Sequence, residues 1–140
     1  MIISTRNIRG LNKDHKQKKV KLFLAKNKIE VFRCVETRVR EQRSKKILKK
    51  MTQGWNSCCN YASAPNGRIW IIWRSHMNAT ILENTEQFIH YLEEDPGTQY
   101  TIYFTVVYAR NGAQQREVLW NEPSQLTLQM QLPWILRGLF

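Results

Sequence analysis

Glu30-Val31-Phe32-Arg33-Cys34-Val35-Glu36-Thr37-Arg38 decides the fold. Val31, Phe32, Cys34 and Val35 form a short apolar run that stops at a carboxylate. A run of this length, rich in β-branched and aromatic types and bounded by polar residues, predicts a buried strand. Glu36 then sits where the strand leaves the sheet, and in open α/β sheets ligands gather at the carboxyl ends of strands. An exposed glutamate at a strand end is an equally ordinary reading of this stretch alone. An earlier segment of the same design shifts the balance.

That segment is Met1 to Thr5, apolar and β-branched, which ends at Asn7-Ile8-Arg9-Gly10 and predicts a strand leaving into a glycine turn. Between the two runs, Asp14 to Lys28 carries Val20, Phe23 and Leu24 at helical spacing among lysines, with Asp14 as the expected N-cap. Strand, helix, strand at this length is a βαβ unit, so the two strands are expected to be parallel with a right-handed crossover. Their carboxyl ends then share one edge, and Asn7 and Glu36 exit side by side. An amide and a carboxylate converging there suit a hard, oxygen-seeking cation such as Mg²⁺.

Further along, Glu41 to Met51 predicts a second basic helix with Ile47, Leu48 and Met51 as its stripe and Gly54 at its end. Short strands are expected at Trp55 to Tyr61, Arg68 to Trp73, Ala79 to Glu83 and Phe88 to Leu92, with an Asn66-Gly67 turn between the first two. After Asp95-Pro96-Gly97 comes a long strand, Tyr100 to Tyr108, with no strongly polar face, which reads as central in its sheet. Gln114 to Gln131 has helical spacing interrupted by Pro123, and Leu132 to Phe140 reads as a buried strand.

The 140 residues suffice for one domain, with 42% hydrophobic and 24% charged residues and no apolar run of membrane-spanning length. Nothing at the start has the pattern of a signal peptide. Cys34, Cys58 and Cys59 form an odd set without Cys-x-x-Cys spacing, which disfavours a zinc site or disulfide scaffold and fits a reducing compartment. Met1 to Lys50 holds 17 basic and 4 acidic residues, whereas the remainder holds 5 and 7. So one-sided a charge points to a polyanion, most commonly a phosphate backbone. Solvated faces of two basic helices account for the same lysines. The five tryptophans could stack on bases, but most lie in apolar strands or helix stripes and read as core; His15, His76 and His90 read as surface or partly buried residues.

Three strand exits line up: Asn7-Ile8-Arg9-Gly10, Val35-Glu36-Thr37-Arg38 and Val107-Tyr108-Ala109-Arg110-Asn111. With Gly67 to Trp73 and Arg116 to Trp120 they resemble, over the whole chain, the endonuclease/exonuclease/phosphatase superfamily. More narrowly, they resemble the apurinic-type endonuclease domain at the front of plant non-LTR (LINE-type) retrotransposon polyproteins, where it is fused to a reverse transcriptase. The resemblance implies an α/β (α+β) four-layer sandwich and Mg²⁺-dependent phosphodiester hydrolysis of DNA. Residue by residue it implies Glu36 as metal ligand, Asn7 as a support of both phosphate and metal, and Tyr108 as a hydrogen-bond donor to the phosphate. Arg38, Arg40 and Arg43 are placed for phosphate contact, and Asn111 for support of the site. For such an element the resemblance implies action in the nucleus, without a membrane.

Departures from the pattern are as informative. Leu139 stands where the family's Gly-Asp-Phe-Asn motif has its aspartate, Arg6 where a tryptophan is usual, and Arg110 where a proline is usual. Leucine neither orients a water nor carries a proton. The later aspartate and the Asp-His pair of the family have no counterpart. The expectation is therefore a partial domain over residues 1–140, an incomplete sandwich truncated after the Gly-Asp-Phe-Asn-like strand and inactive as a nuclease; the alternatives are a non-catalytic basic nucleic-acid-binding domain or a functionless remnant. The family completes its sandwich with strands beyond this motif, so open strand edges and apolar faces are expected, and with them self-association. Light scattering and thermal melting test this, and a sharp cooperative melt of a monodisperse monomer is the result that counts against it.

Overall fold

In the computed structural model, residues 2–62 and 69–108 are described in full and residues 134–139 by their backbone alone. Asn66-Gly67, Asn111, Arg116, Trp120 and the helix expected at Gln114 to Gln131 lie outside the described residues. The elements are β1 (Ile3–Asn7), α1 (Asp14–Lys26), β2 (Val31–Val35), α2 (Glu41–Met51), β3 (Asn56–Cys59), β4 (Ile69–Trp73), β5 (Asn78–Asn84), β6 (Phe88–Asp95), β7 (Tyr100–Tyr108) and β8 (Trp134–Leu139). They build two four-stranded sheets, ordered β1-β2-β4-β3 and β5-β6-β7-β8.

The βαβ unit is present. β1 and β2 are parallel, with Asn7 opposite Val35, and the pairing runs one step further through Ile8 N–H to the Val35 carbonyl at 3.1 Å. Alternation along β2 sorts its side chains between two cores. Phe32 and Cys34 join Trp70 and Ile72 of β4 against Val20, Leu24, Ile47 and Met51 of the helices. Val31 and Val35 face the other way with Ile69 and Ile71, and meet Ile89, Tyr91, Ile102, Phe104 and Val106 of the second sheet. The described layers are thus helices, first sheet and second sheet. Each fully buried large apolar side chain contributes about 1.5–3 kcal/mol.

Several expectations need correction. Asp14 does not cap α1: Lys13 holds that position with extended backbone and no side-chain cap, and Asp14 opens the helix and pairs with Lys50 at 3.1 Å. A carboxylate in the first turn still complements the helix dipole. β3 is shorter than Trp55 to Tyr61, because its ladder with β4 spans only Asn56 to Cys59. β6 runs on to Asp95 because it pairs with β7 from Phe88↔Val107 to Asp95↔Tyr100, where the Asp95 carboxylate accepts the Gly97 N–H at 3.1 Å. β7 is central, between antiparallel β6 and parallel β8. His90 is not at the surface: it is 1% exposed, with Nδ1 2.8 Å from the Thr105 hydroxyl. His15 is exposed, and His76 pairs with Glu30 at 2.8 Å. Trp70 and Trp73 are core, and Trp55 lies beneath the Arg74 guanidinium, 4.5 Å from the ring centroid. No described helix is long and apolar enough to cross a membrane.

Charge also enters the core between the sheets. Arg33 on β2 and Glu93 on β6 are buried, and the Arg33 guanidinium sits 4.2 Å from the Phe104 ring centroid. Its Nη1 donates a long bond, 3.4 Å, to the Tyr91 hydroxyl. Burial pushes the Glu93 carboxyl up to about 7, with Arg33 and the Tyr91 hydroxyl pulling the other way. Tyr91 acts there by proximity, since neither Glu93 oxygen has a hydrogen bond of ordinary geometry. An unfolded chain ionises this group near 4.5. Between those two values the folded chain binds more protons, so stability declines as pH rises and levels off above the upper value. Denaturant melts of the unsubstituted chain and Glu93→Gln across this range should show the difference between them changing by about 3 kcal/mol, in favour of the variant at high pH. A constant difference contradicts the assignment.

Candidate functional site

The site begins where β1 and β2 end. Asn7 closes β1, and the turn after it is pinned by Leu11, which is fully buried. Gln17 of α1 donates to the Leu11 carbonyl at 3.0 Å, and Gly10 takes φ +73°, a backbone state that costs glycine little. The Arg9 side chain leaves from this turn. Its backbone carbonyl accepts a hydrogen bond from the Lys16 ammonium.

Glu36 follows β2 with φ +58°, and Arg38 has φ +54°. Left-handed backbone at non-glycine residues costs of order 1–3 kcal/mol and persists only where its surroundings impose it. Here they do. Thr37 and Val39 are buried, the Tyr61 hydroxyl donates to the Val39 carbonyl at 2.7 Å, and the Trp70 indole donates to the Tyr61 hydroxyl at 3.1 Å.

Tyr108 comes from the other sheet. It ends β7, and its N–H donates to the Gln87 carbonyl at 2.7 Å. Its hydroxyl donates to Glu36 Oε1 at 2.7 Å. The other carboxylate oxygen, Oε2, accepts Arg9 Nε at 2.7 Å, and Asn7 lies close enough to act on the same carboxylate. Nearby, fully buried Asn60 holds the sheets together by donating to the Thr85 and Glu86 carbonyls, each at 3.3 Å. Burial alone pushes the Glu36 carboxyl up, but the bonds from Arg9 and Tyr108, with Asn7 close by, outweigh it and the pKa is lowered overall.

Asn7, Glu36 and Tyr108 are therefore brought together on one rim. Arg38, Arg40 and Arg43 lie exposed on the connection leaving Glu36 and in the first turn of α2. Leu139 stands opposite Tyr108 in the parallel β7–β8 register, so it reaches the same sheet edge. Asn111 lies outside the described residues. Sequence reading gave no role to Arg9, although the signal was present: an arginine two residues beyond one strand exit, beside a second exit that ends in a carboxylate.

Mg²⁺ prefers octahedral oxygen coordination through one or two carboxylates, waters and substrate phosphates. The rim offers one carboxylate with both oxygens engaged, one of them by a cation, and no three of His, Cys, Asp and Glu converge among the described residues. As arranged, these donors do not fit a resident divalent ion. They do fit an anion. Arg9 balances Glu36 through Nε and the Tyr108 proton is committed to Oε1, so the Arg9 Nη groups and the exposed Asn7 amide are the donors suited to phosphate oxygens.

No protein-family model matches the chain, and no curated protein matches it. Solved structures do. An endonuclease/exonuclease/phosphatase family protein from Bacteroides thetaiotaomicron superposes with a TM-score of 0.73 at 13% identity, over 97% of this chain and 61% of the other. The endonuclease domain of TRAS1, a telomere-specific non-LTR retrotransposon, gives 0.69 at 11% identity, over 97% and 57%. A mannosyl-6-phosphatase from Bacteroides thetaiotaomicron gives 0.71 at 12% identity, over 97% and 63%. The chain thus has the fold of endonuclease/exonuclease/phosphatase proteins and spans about six-tenths of the length of these chains.

Tyr108→Phe removes one donor from Glu36. Above pH 4.5, the ordinary value of this group, it should destabilise the chain by about 1–2 kcal/mol. It should also raise the Glu36 pKa, read by ¹³C NMR titration of the carboxyl. The sign follows from a folded-state pKa held below the unfolded one: the stabilisation is complete above the unfolded value and is lost as pH falls through the folded one. The two proteins should therefore converge in acid. An unmoved Glu36 titration contradicts the hydrogen bond.

Proposed function

We propose that this chain is a DNA-backbone-binding portion of a retrotransposon-type endonuclease of the LINE class, acting in the nucleus beside a reverse transcriptase, and that it does not hydrolyse DNA by itself. The observation that supports this best is the convergence of Asn7, Glu36 and Tyr108 from two sheets on one rim, at the end of the chain's basic half. Phosphate contacts position a nucleic acid without reading its sequence, and arginine is the side chain best suited to them. Arg38, Arg40 and Arg43, all exposed, extend the rim with positive charge.

Net charge favours a polymer over a small phosphate ester. The first fifty residues carry 17 basic against 4 acidic side chains, far more than one sugar phosphate needs. Inactivity rests on the donors and bases. In-line attack on a phosphodiester needs an activated water or a proton acceptor. Glu36 is engaged on both oxygens, Asn7 is an amide, and no histidine among the described residues joins them. Position 139, at the same edge, is leucine.

Fluorescence anisotropy with a DNA duplex should show log affinity falling linearly with log salt, with a slope of about −0.9 per phosphate neutralised. Replacing Arg38, Arg40 and Arg43 together by alanine should weaken binding and flatten that slope by roughly one unit for each phosphate no longer neutralised. Supercoiled plasmid should stay intact with Mg²⁺ present. Binding indifferent to salt overturns the DNA reading, and nicking that disappears in Glu36→Ala overturns the inactivity.

A further inference from the structure

Glu36 is a carboxylate in the left-handed backbone region, 8% exposed, with one hydrogen-bond donor on each oxygen, Arg9 and Tyr108. Arg9 differs from Tyr108 in two respects. It carries a full charge, and its side chain is 65% exposed, so it can leave without unpacking the core. The geometry points to Arg9 as an internal counter-cation that occupies Glu36 and competes with divalent cations for it. A divalent ion that takes both carboxylate oxygens has to displace the guanidinium from Oε2.

The surroundings press Arg9 into that position. A cavity of about 450 Å³ opens beside it, lined by Arg9 itself, Arg6, Lys16 and Lys19 above the Phe23 and Phe32 rings. The four cations repel one another, and Glu36 is the carboxylate that Arg9 reaches, at 2.7 Å. The Arg6 guanidinium is held elsewhere, 4.8 Å from the Phe23 ring centroid. The Lys16 ammonium bonds the Arg9 carbonyl and so fixes the turn that aims the side chain. The same arrangement defines how strong the competition is. An exposed ion pair is weak because water and salt screen it. The guanidinium therefore lowers cation affinity without abolishing it.

The proposal rests on the reading of this rim as a phosphate site only in naming what balances Glu36 there, and its test contains no nucleic acid. Free Mn²⁺ is titrated by electron paramagnetic resonance into the full chain and into Arg9→Gln. Removing an opposite charge at this distance should tighten Mn²⁺ binding by roughly tenfold, the low end of the effect of a neighbouring charge. Adding Glu36→Gln to Arg9→Gln should erase the gain. Arg9→Ala, which removes the same charge with less bulk, should repeat the result, and circular dichroism checks that each variant is folded. Equal or weaker Mn²⁺ binding in the folded Arg9 variants overturns the proposal, as does a gain that survives Glu36→Gln. DNA binding that fails while the Mn²⁺ gain appears would refute the nucleic-acid reading and leave the counter-cation standing.

Discussion

A single hydrogen bond, from the Tyr108 hydroxyl to the Glu36 carboxylate, joins the ends of strands that belong to different sheets. It forms only if both sheets are in register with each other. That register comes from the apolar core between them, where Val31, Val35, Ile69 and Ile71 meet Ile89, Tyr91, Phe104 and Val106. A one-residue slip of β2 or β7 would turn Val31 and Val35, or Phe104 and Val106, out of this core and carry Glu36 or Tyr108 to the wrong face. The core thus fixes the site, and the site reports whether the core has closed correctly.

Burying a carboxylate is costly unless donors surround it. Glu36 and Glu93 are two outcomes of that rule in one molecule. Glu36 accepts from an arginine and a tyrosine, with Asn7 close by, and its pKa is lowered in spite of burial. Glu93 has Arg33 and Tyr91 nearby without a well-formed hydrogen bond, and its pKa is raised to about 7. What Glu36 has, and Glu93 lacks, is an oriented donor on each oxygen.

Much of the scaffold was legible because its signals are local. The apolar run Val31 to Val35 and the two-sided run Tyr100 to Tyr108 give strands with those bounds, and the lysine-flanked stripes give α1 and α2. Legibility failed where a residue's environment is set by a distant partner. Arg9 and Glu36 are 27 positions apart, and Tyr108 and Glu36 72 apart. Of these two pairs, sequence reading brought together only the residues that the resemblance had already assigned a role. Glu93 lies in a strand whose two faces are both buried along most of its length, so alternation could not show which way it points. The burial of His90 escaped for the same reason. Asp14 looked like a cap by residue type, but the turn at Gly10 puts the N-cap one residue earlier, at Lys13, and Asp14 becomes the first helical residue.

Binding a phosphodiester and cleaving it make different demands on such a rim. Binding needs donors and net positive charge, and a buried carboxylate is tolerable there once a guanidinium neutralises it. Cleavage needs a group with a free lone pair, or a cation held by carboxylates that are not already neutralised. Arg9 satisfies the first demand by the same contact that obstructs the second. The β7–β8 register sets residue 139 opposite Tyr108, the edge position from which a second acid could share the load of holding a cation. With leucine there, Glu36 is left as the one carboxylate among the described residues of the rim. Its partner is then decided between an arginine tethered in the chain and an ion that must come from solution. Tethering favours the arginine, because it is always present at high local concentration. That bias inclines the rim toward a neutralised carboxylate rather than a bound cation.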